Sequence, residues 1–303
     1  MKKLFQTSLS YVKKQWVLLP YAWLFCFFAI PFVYLFKISL SETVLAIPPV
    51  SSLLEFPELG KININLDFSH YLTAFSDTFY VSGFVTSLIM ASLTTIICLI
   101  LGYGMAYGLI QLPSEYRTFG LLLIMIPFST SFLIRIYAWI TLLSQQGIIN
   151  TWLMNLGIIK EPLSLLYNNG SALLGLVYCY LPFMILPIYA TLDKMESSYL
   201  EAAADLGATP FRRFYQITLP LSMPGILAGC VLVFVPVTGE FVIPELLGSP
   251  DGLMIGRILW TEFFSNRDWP LTASLAIILL ILFVFPIVGL QRFQENKREA
   301  GES

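Results

Sequence analysis

These 303 residues predict an all-α membrane protein with six spanning helices, and three observations carry that expectation. The chain is 57% hydrophobic and only 12% charged, more apolar side chain than one soluble core of this size encloses. Six apolar stretches reach the ~20 residues that a helix needs to cross a hydrocarbon core. Basic residues are unevenly spread. With both termini cytoplasmic, the segments on that side hold Lys2, Lys3, Lys13, Lys14, Arg117, Lys194, Arg212, Arg213, Arg292, Lys297 and Arg298, against Lys61, Lys160, Arg257 and Arg267 outside. Lys and Arg are retained on the cytoplasmic face, so this bias orients the chain, whereas the formal net charge of -2 does not.

In chain order the spans are expected near 16–38, 82–111, 119–143, 170–192, 223–245 and 270–291, within a single transmembrane domain over 1–303. The first is too long for a cleaved signal peptide and no A-x-A-like site follows it. The outer segment 39–81, with Pro48-Pro49 and short apolar patches between acids, reads as an ordered cap. Gly104 and Gly108 in the second span form a GxxxG pair flanked by Gly102 and Ala106, which reads as a site of close helix packing. The outer segment 144–169 contains GIINTWLMNLGII, with apolar residues at helical spacing, and predicts an amphipathic helix along the outer interface. A third outer loop, 246–269, is rich in Gly, Asp, Asn and aromatic residues. The fifth span is conspicuously interrupted, by Pro236, Gly239 and Pro244.

Several chemistries find no support. Cys26, Cys98, Cys179 and Cys230 share no CxxC spacing and read as isolated thiols in helices. His70 is the sole histidine, so no HExxH is possible, and neither a metal site nor a cofactor is expected. No nucleophile and base pair is visible, no GxxxxGK[ST] phosphate loop is present, and no nucleic-acid partner is expected.

The cytoplasmic loop 193–222 carries the densest local signals. Within SSYLEAAADLGATPFRRFYQITLPLSMPG, Ser198 and Glu201 have capping-box spacing and would start a helix. Gly207 would end it in a left-handed cap, and Thr209-Pro210 would start a second helix as N-cap and first residue. Leu219-Pro220 would close that second helix. Leu200, Ala203, Ala204 and Gly207 on one helix, with Phe211, Phe214 and Tyr215 on the other, would form an apolar ridge that needs a cover, either lipid or a protein partner.

Glu201-Ala202-Ala203, Gly207, Ile217 and Leu219-Pro220, at these spacings, resemble the full EAA loop signature of ABC importer permeases. The resemblance implies the type I importer permease fold and an inner-membrane location. It further implies that these seven residues meet an ATP-binding subunit, that Glu201 is a charged contact, that Ala202 and Ala203 permit close approach, and that Gly207 makes the bend. KISLSE (37–42), AIPP (46–49), SFLIRIYAW (131–139), GEFVIPELLG (239–248) and MIGRILWTEFFSNRDWP (254–270) are similar to permeases of polyamine importers, most of all the first permease of the putrescine system. That likeness implies a second, homologous permease, a pair of ATPases, a periplasmic binding protein and a polyamine substrate.

Charges inside spans default to functional hypotheses. Counting helical rise puts Arg135 and Glu240 at a similar depth, roughly 25 Å from the cytoplasmic entry. Two readings stand: an Arg135–Glu240 ion pair joining helices, or a Glu240 carboxylate facing the pathway, with backbone carbonyls freed at the break to hold a cation. Arg135 and Glu245 are further pathway candidates, with Glu245 otherwise a solvated residue at the outer interface. Glu42, Glu55, Glu58, Asp67, Asp77, Glu161, Asp251, Glu262 and Asp268 make the outer loops acidic, which would attract cations but also follows from keeping bases inside. The competing functions are an ABC permease for another solute, such as spermidine, thiamine, sulfate or ferric iron, and a secondary transporter.

Overall fold

A computed structural model of the protein describes residues 20–52, 54–58, 61–250 and 252–301. Lys2, Lys3, Lys13, Lys14, the opening residues of the expected first span and Asp251 lie outside the described residues. Among the described residues, five helical stretches are long and apolar enough to cross a membrane: Pro20–Ser39, Thr78–Gln111, Phe132–Asn155, Asn169–Leu192 and Pro210–Thr238. Trp269–Phe285 is a sixth, shorter apolar stretch. The described residues are helical apart from one short pair of antiparallel strands. Its residues cluster in two units, one of residues up to Asp77 and from Thr261, the other from Thr78 to Trp260.

In the first unit, helix α1 (Pro20–Ser39) contains a widened π turn at Phe25–Ala29, two residues ahead of Pro31. A proline ring clashes with the carbonyl four residues back, and the wider turn moves that carbonyl aside without ending the helix. Tyr21, Trp23, Phe25 and Phe27 are exposed, as suits a helix bathed in lipid. The antiparallel strands β1 (Leu54–Glu58) and β2 (Lys61–Ile64) follow, with Leu54 opposite Ile64, so the cap segment holds a hairpin. Helix α2 (Ser69–Ser76) is tied to α1 through the Ser39 and Tyr71 hydroxyls, 2.7 Å apart. Asp67 accepts from the backbone N–H and the hydroxyl of Ser69, both at 2.7 Å, and these bonds hold its carboxyl below the usual range.

The second unit is built on three long helices: α3 (Thr78–Gln111), α7 (Asn169–Leu192) and α9 (Pro210–Thr238). Between them lie α4 (Ser114–Phe128), α5 (Phe132–Leu143) and α6 (Ile148–Asn155), and beyond α9 come α10 (Val242–Leu247) and α11 (Ile255–Thr261). The long helix of the first unit is α12 (Trp269–Gly301). Leu176, Met184, Ile185, Ile188, Val233 and Val237 are fully buried where α3, α7 and α9 meet.

Close approach of α9 to α7 depends on two glycines. A Cβ at Gly225 would stand 2.6 Å from the Pro187 carbonyl, and one at Gly229 would stand 2.7 Å from Met184 Sδ. The pair Gly225 and Gly229 thus does what was expected of Gly104 and Gly108. Those two are exposed, and a Cβ at either meets nothing within 4 Å. Gly102 and Ala106, on the opposite side of α3, are the buried small residues. Residue type signalled a packing face, but rotation of the helix decided which face.

The expected third span, 119–143, is not one helix. α4 contains Pro127 and stops at Phe128, Ser129 to Ser131 are exposed, and α5 starts at Phe132. Ser129 and Thr130 turn their hydroxyls back onto the Met125 and Pro127 carbonyls at 3.2 and 2.7 Å, which satisfies part of the interrupted ladder. Discontinuity is therefore not confined to the fifth span. α6 exposes Ile148 and Trp152, and Asn150 beneath it is buried, exchanging two 2.9 Å bonds with the backbone of Leu163.

Candidate functional site

Two places gather the residues singled out above: the loop between α7 and α9, and the break after α9. Helix α8 (Ser197–Asp205) begins two residues earlier than the capping box requires, with Glu196 in the N-cap position. Ser198 therefore already lies within the helix, where its hydroxyl donates to Glu196 Oε2 at 3.1 Å, and the expected Ser198–Glu201 box does not form. Gly207 closes the helix at φ +78°, with Ala208 N–H on the Ala203 carbonyl at 3.0 Å and Gly207 N–H on that of Ala204 at 2.9 Å. Glycine takes this left-handed cap without the Cβ penalty. Thr209 Oγ1 accepts from Arg212 N–H at 3.4 Å, with Pro210 first in the next helix.

That next helix does not stop at Pro220. A π turn over Phe214–Thr218, with Leu219 N–H on the Phe214 carbonyl, precedes Pro220 by two residues, the same offset as before Pro31 in α1. The widened turn accommodates the ring, and α9 runs unbroken from Pro210 to Thr238. The loop is one short helix hinged by Gly207 to the cytoplasmic-expected end of a long one.

The exposed ridge also differs from expectation. Leu206, Phe211 and Tyr215 are 88%, 77% and 62% exposed, and the Phe211 and Tyr215 rings stack at 6.2 Å. Phe214 instead turns inward. It meets Tyr103 and Tyr107 of α3 edge-on at 5.7 and 5.5 Å, and Tyr103 Oη lies 3.1 Å from Ser222 Oγ. Glu201, Ala202, Gly207 and Pro220 are exposed, while Ala203, Ile217 and Leu219 are half-buried.

At the other end of α9, Gly239 terminates the helix and Glu240 lies in the break before α10. Glu240 Oε1 accepts from the backbone N–H groups of Phe241 and Val242 at 3.2 and 2.9 Å, so it satisfies two donors at the start of α10, just ahead of the N-cap residue Phe241. Oε2 accepts from the Tyr180 hydroxyl of α7 at 2.7 Å. The Gly239 and Glu240 carbonyls lie so close to Gly256 that no Cβ fits there, so these carbonyls are covered by α11. Phe241 stacks on Trp260 at 4.6 Å, and Glu245 pairs with Arg257.

Arg135 does not join them. It is 9% exposed, its guanidinium lies over the rings of Phe128 and Phe132 at 5.3 and 5.8 Å, and its Nε has no hydrogen-bond partner. Among the described residues no ion pair links it to Glu240. The depth counted along one continuous third span does not hold for a span broken at Ser129–Ser131, and the Glu240 carboxylate is instead occupied by Tyr180 and the α10 backbone. Tyr180, Phe128, Phe132 and Phe214 carry no local sequence signal of these roles; Ser129–Ser131 after Pro127 is a polar interruption that could have been read as a break.

Residues 100–299 match the family described as binding-protein-dependent transport system inner membrane component. The spermidine/putrescine transport system permease protein PotB of Haemophilus influenzae is 41% identical over 216 residues, covering 70% of this chain and 76% of that one. The inner membrane ABC transporter permease protein YdcU of Escherichia coli is 33% identical over 220 residues, covering 68% of this chain and 69% of that one. A chain of a bacterial ABC transporter involved in the import of alginate superposes with a TM-score of 0.70 at 17% identity, covering 96% of this chain and 99% of that one. Sequence identity and helical architecture agree, and the chain belongs to the family of binding-protein-dependent transport system inner membrane components.

Proposed function

We propose that the chain is the channel subunit of an ATP-driven polyamine importer, in which a separate pair of ATP-binding subunits hydrolyses ATP. A second permease completes the channel, and a periplasmic binding protein delivers substrate to the loops 39–81, 144–169 and 246–269. The observation that carries this reading is mechanical. The exposed ridge of Leu206, Phe211 and Tyr215 lies at one end of α9 and Glu240 just beyond the other. At 1.5 Å per residue, α9 spans about 43 Å, so a partner seated on the ridge moves the charged break through one continuous rod. Phe214, held between Tyr103 and Tyr107, passes part of that movement to α3.

Glu240 supplies the carboxylate for an ammonium group. Three donors occupy it, and an ionised carboxylate offers about four lone-pair positions, so a cation takes the remaining one or displaces Tyr180. The stacked Phe241 and Trp260 rings beside it favour a cation over an anion. The names of the PotB relatives cover both spermidine and putrescine. Putrescine is the finer reading, on the likeness of the stretches at 37–49, 131–139 and 239–270, and spermidine is its alternative.

The test is uptake of labelled putrescine and spermidine by vesicles carrying the complete importer with its binding protein. Glu201→Ala and Gly207→Val are expected to lower uptake about tenfold or more while the ATPase continues to turn over. Normal uptake by both variants overturns the coupling role. Uptake that persists without ATP and collapses with the proton gradient overturns the importer reading in favour of a secondary transporter.

A further inference from the structure

Arg135 is a membrane-embedded cation that its own chain covers but does not neutralise. Among the described residues no acceptor receives its N–H groups, and its two ring contacts leave a planar fork of donors unmatched. It lines a cavity of about 270 Å³ whose other walls, among them Met105, Phe128, Tyr178 and Leu181, are largely apolar. A guanidinium buried in apolar surroundings within a span calls for an anion.

Two features bear on where that anion would come from. Leu101, Gly104, Met105 and Gly108 recur at i, i+3, i+4 and i+7 on α3, and all four are exposed. Met105 of this stripe lines the Arg135 cavity, and a Cβ at Gly104 or Gly108 would meet nothing within 4 Å. Small residues on an open face allow another helix to approach closely in lipid. The exposed break at Ser129–Ser131 lies next in sequence to Pro127 and Phe128, which also line the cavity. The break directly precedes the membrane-length stretch Phe132–Asn155, and wherever such irregular backbone enters the membrane it packs against protein or a water-filled space, not against lipid. A second copy of this chain is a poor source of the anion, since the acids of the neighbouring break, Glu240 and Glu245, are held by Tyr180 and Arg257.

We propose that a helix of a different membrane subunit packs on the Gly104–Gly108 face of α3 and places an aspartate or glutamate side chain in this cavity as the counter-ion of Arg135. This rests on the reading of the chain as one subunit of an importer. The pair would fix which permease joins this one, because a like charge or an apolar residue at that position leaves the guanidinium unmatched.

The test is assembly rather than transport, so it stays distinct from the uptake assay: a tag on this chain recovers the co-expressed second permease. Arg135→Met is expected to reduce that recovery about a hundredfold or more, the order seen when a buried ion pair loses one partner, while Arg135→Lys keeps most of it. Arg135→Glu is expected to regain assembly when one intramembrane Asp or Glu of the second permease is changed to Lys. The Arg135→Met chain alone is expected to unfold at an unchanged or higher temperature, which separates lost assembly from misfolding. Wild-type recovery with Arg135→Met overturns the proposal. So does a loss that no charge exchange restores, whether the variant chain is itself destabilised or phosphatidylglycerol vesicles cure the loss.

Discussion

Two helix breaks in the second unit each carry a charge, and they treat it in opposite ways. At the break after α9, Glu240 is locked by two backbone N–H groups and the Tyr180 hydroxyl. Beside the break between α4 and α5, Arg135 rests on two rings with its Nε unpaired. A carboxylate at a helix start finds donors in the backbone that begins there, whereas a guanidinium in the first turn of a helix is faced by further donors on that helix. The first charge is therefore an integral part of this chain's fold, and the second has no counter-ion among the described residues.

This contrast can be broken most directly at Glu240. Glu240→Ala removes the acceptor for two N–H groups at the start of α10 and orphans Tyr180, and is expected to destabilise the chain by about 2–3 kcal/mol, read as a lower unfolding midpoint in detergent. Equal stability of Glu240→Ala and Arg135→Met would erase the difference between the two sites. Glu240→Gln retains an acceptor oxygen, so it is expected to fold while lowering diamine uptake, read as a raised half-saturation concentration in vesicles. A milder effect is expected of Tyr180→Phe, about 1 kcal/mol of stability, with uptake unchanged or improved because a competing donor has gone. Loss of uptake in that variant would instead place Tyr180 itself on the substrate.

The smallest effect concerns Asp67, a carboxylate outside the spans with a similar donor set, a backbone N–H and a hydroxyl. Its folded-state pKa lies below the usual value, so its bonds stabilise the fold above about pH 4 and that contribution is lost as pH falls through the folded value. An Asp67→Asn chain is expected to show a flatter stability profile below about pH 4, in a comparison of unfolding midpoints across that range. A profile identical to wild type would mean that the Ser69 bonds contribute nothing in solution.

Legibility in the sequence followed the range of the interactions. Gly207 and Thr209-Pro210 were readable because a left-handed cap and an N-cap are decided by neighbours within four residues. Ser198 is no N-cap because the helix already starts at Ser197, behind a Glu196 whose side chain makes no cap bond, and the spacing to Glu201 does not fix which residue begins the helix. Pro220 misled for another reason: a proline ends a helix unless the preceding turn widens, and Phe214–Thr218 widens it. The small-residue pattern of the second span was real, yet Gly104 and Gly108 face outward while Gly225 and Gly229 make the close contact within the chain.

What residue types and spacing determine here is the number of apolar helices, the hinge at Gly207 and the presence of charges within spans. These follow from local backbone preference and from the length of helix that crosses a bilayer. Which ring covers Arg135, which hydroxyl holds Glu240 and which face of α3 stays open were decided by the rotation and packing of helices far apart in sequence. No local pattern encodes those angles, because each results from the fit of several helix surfaces at once.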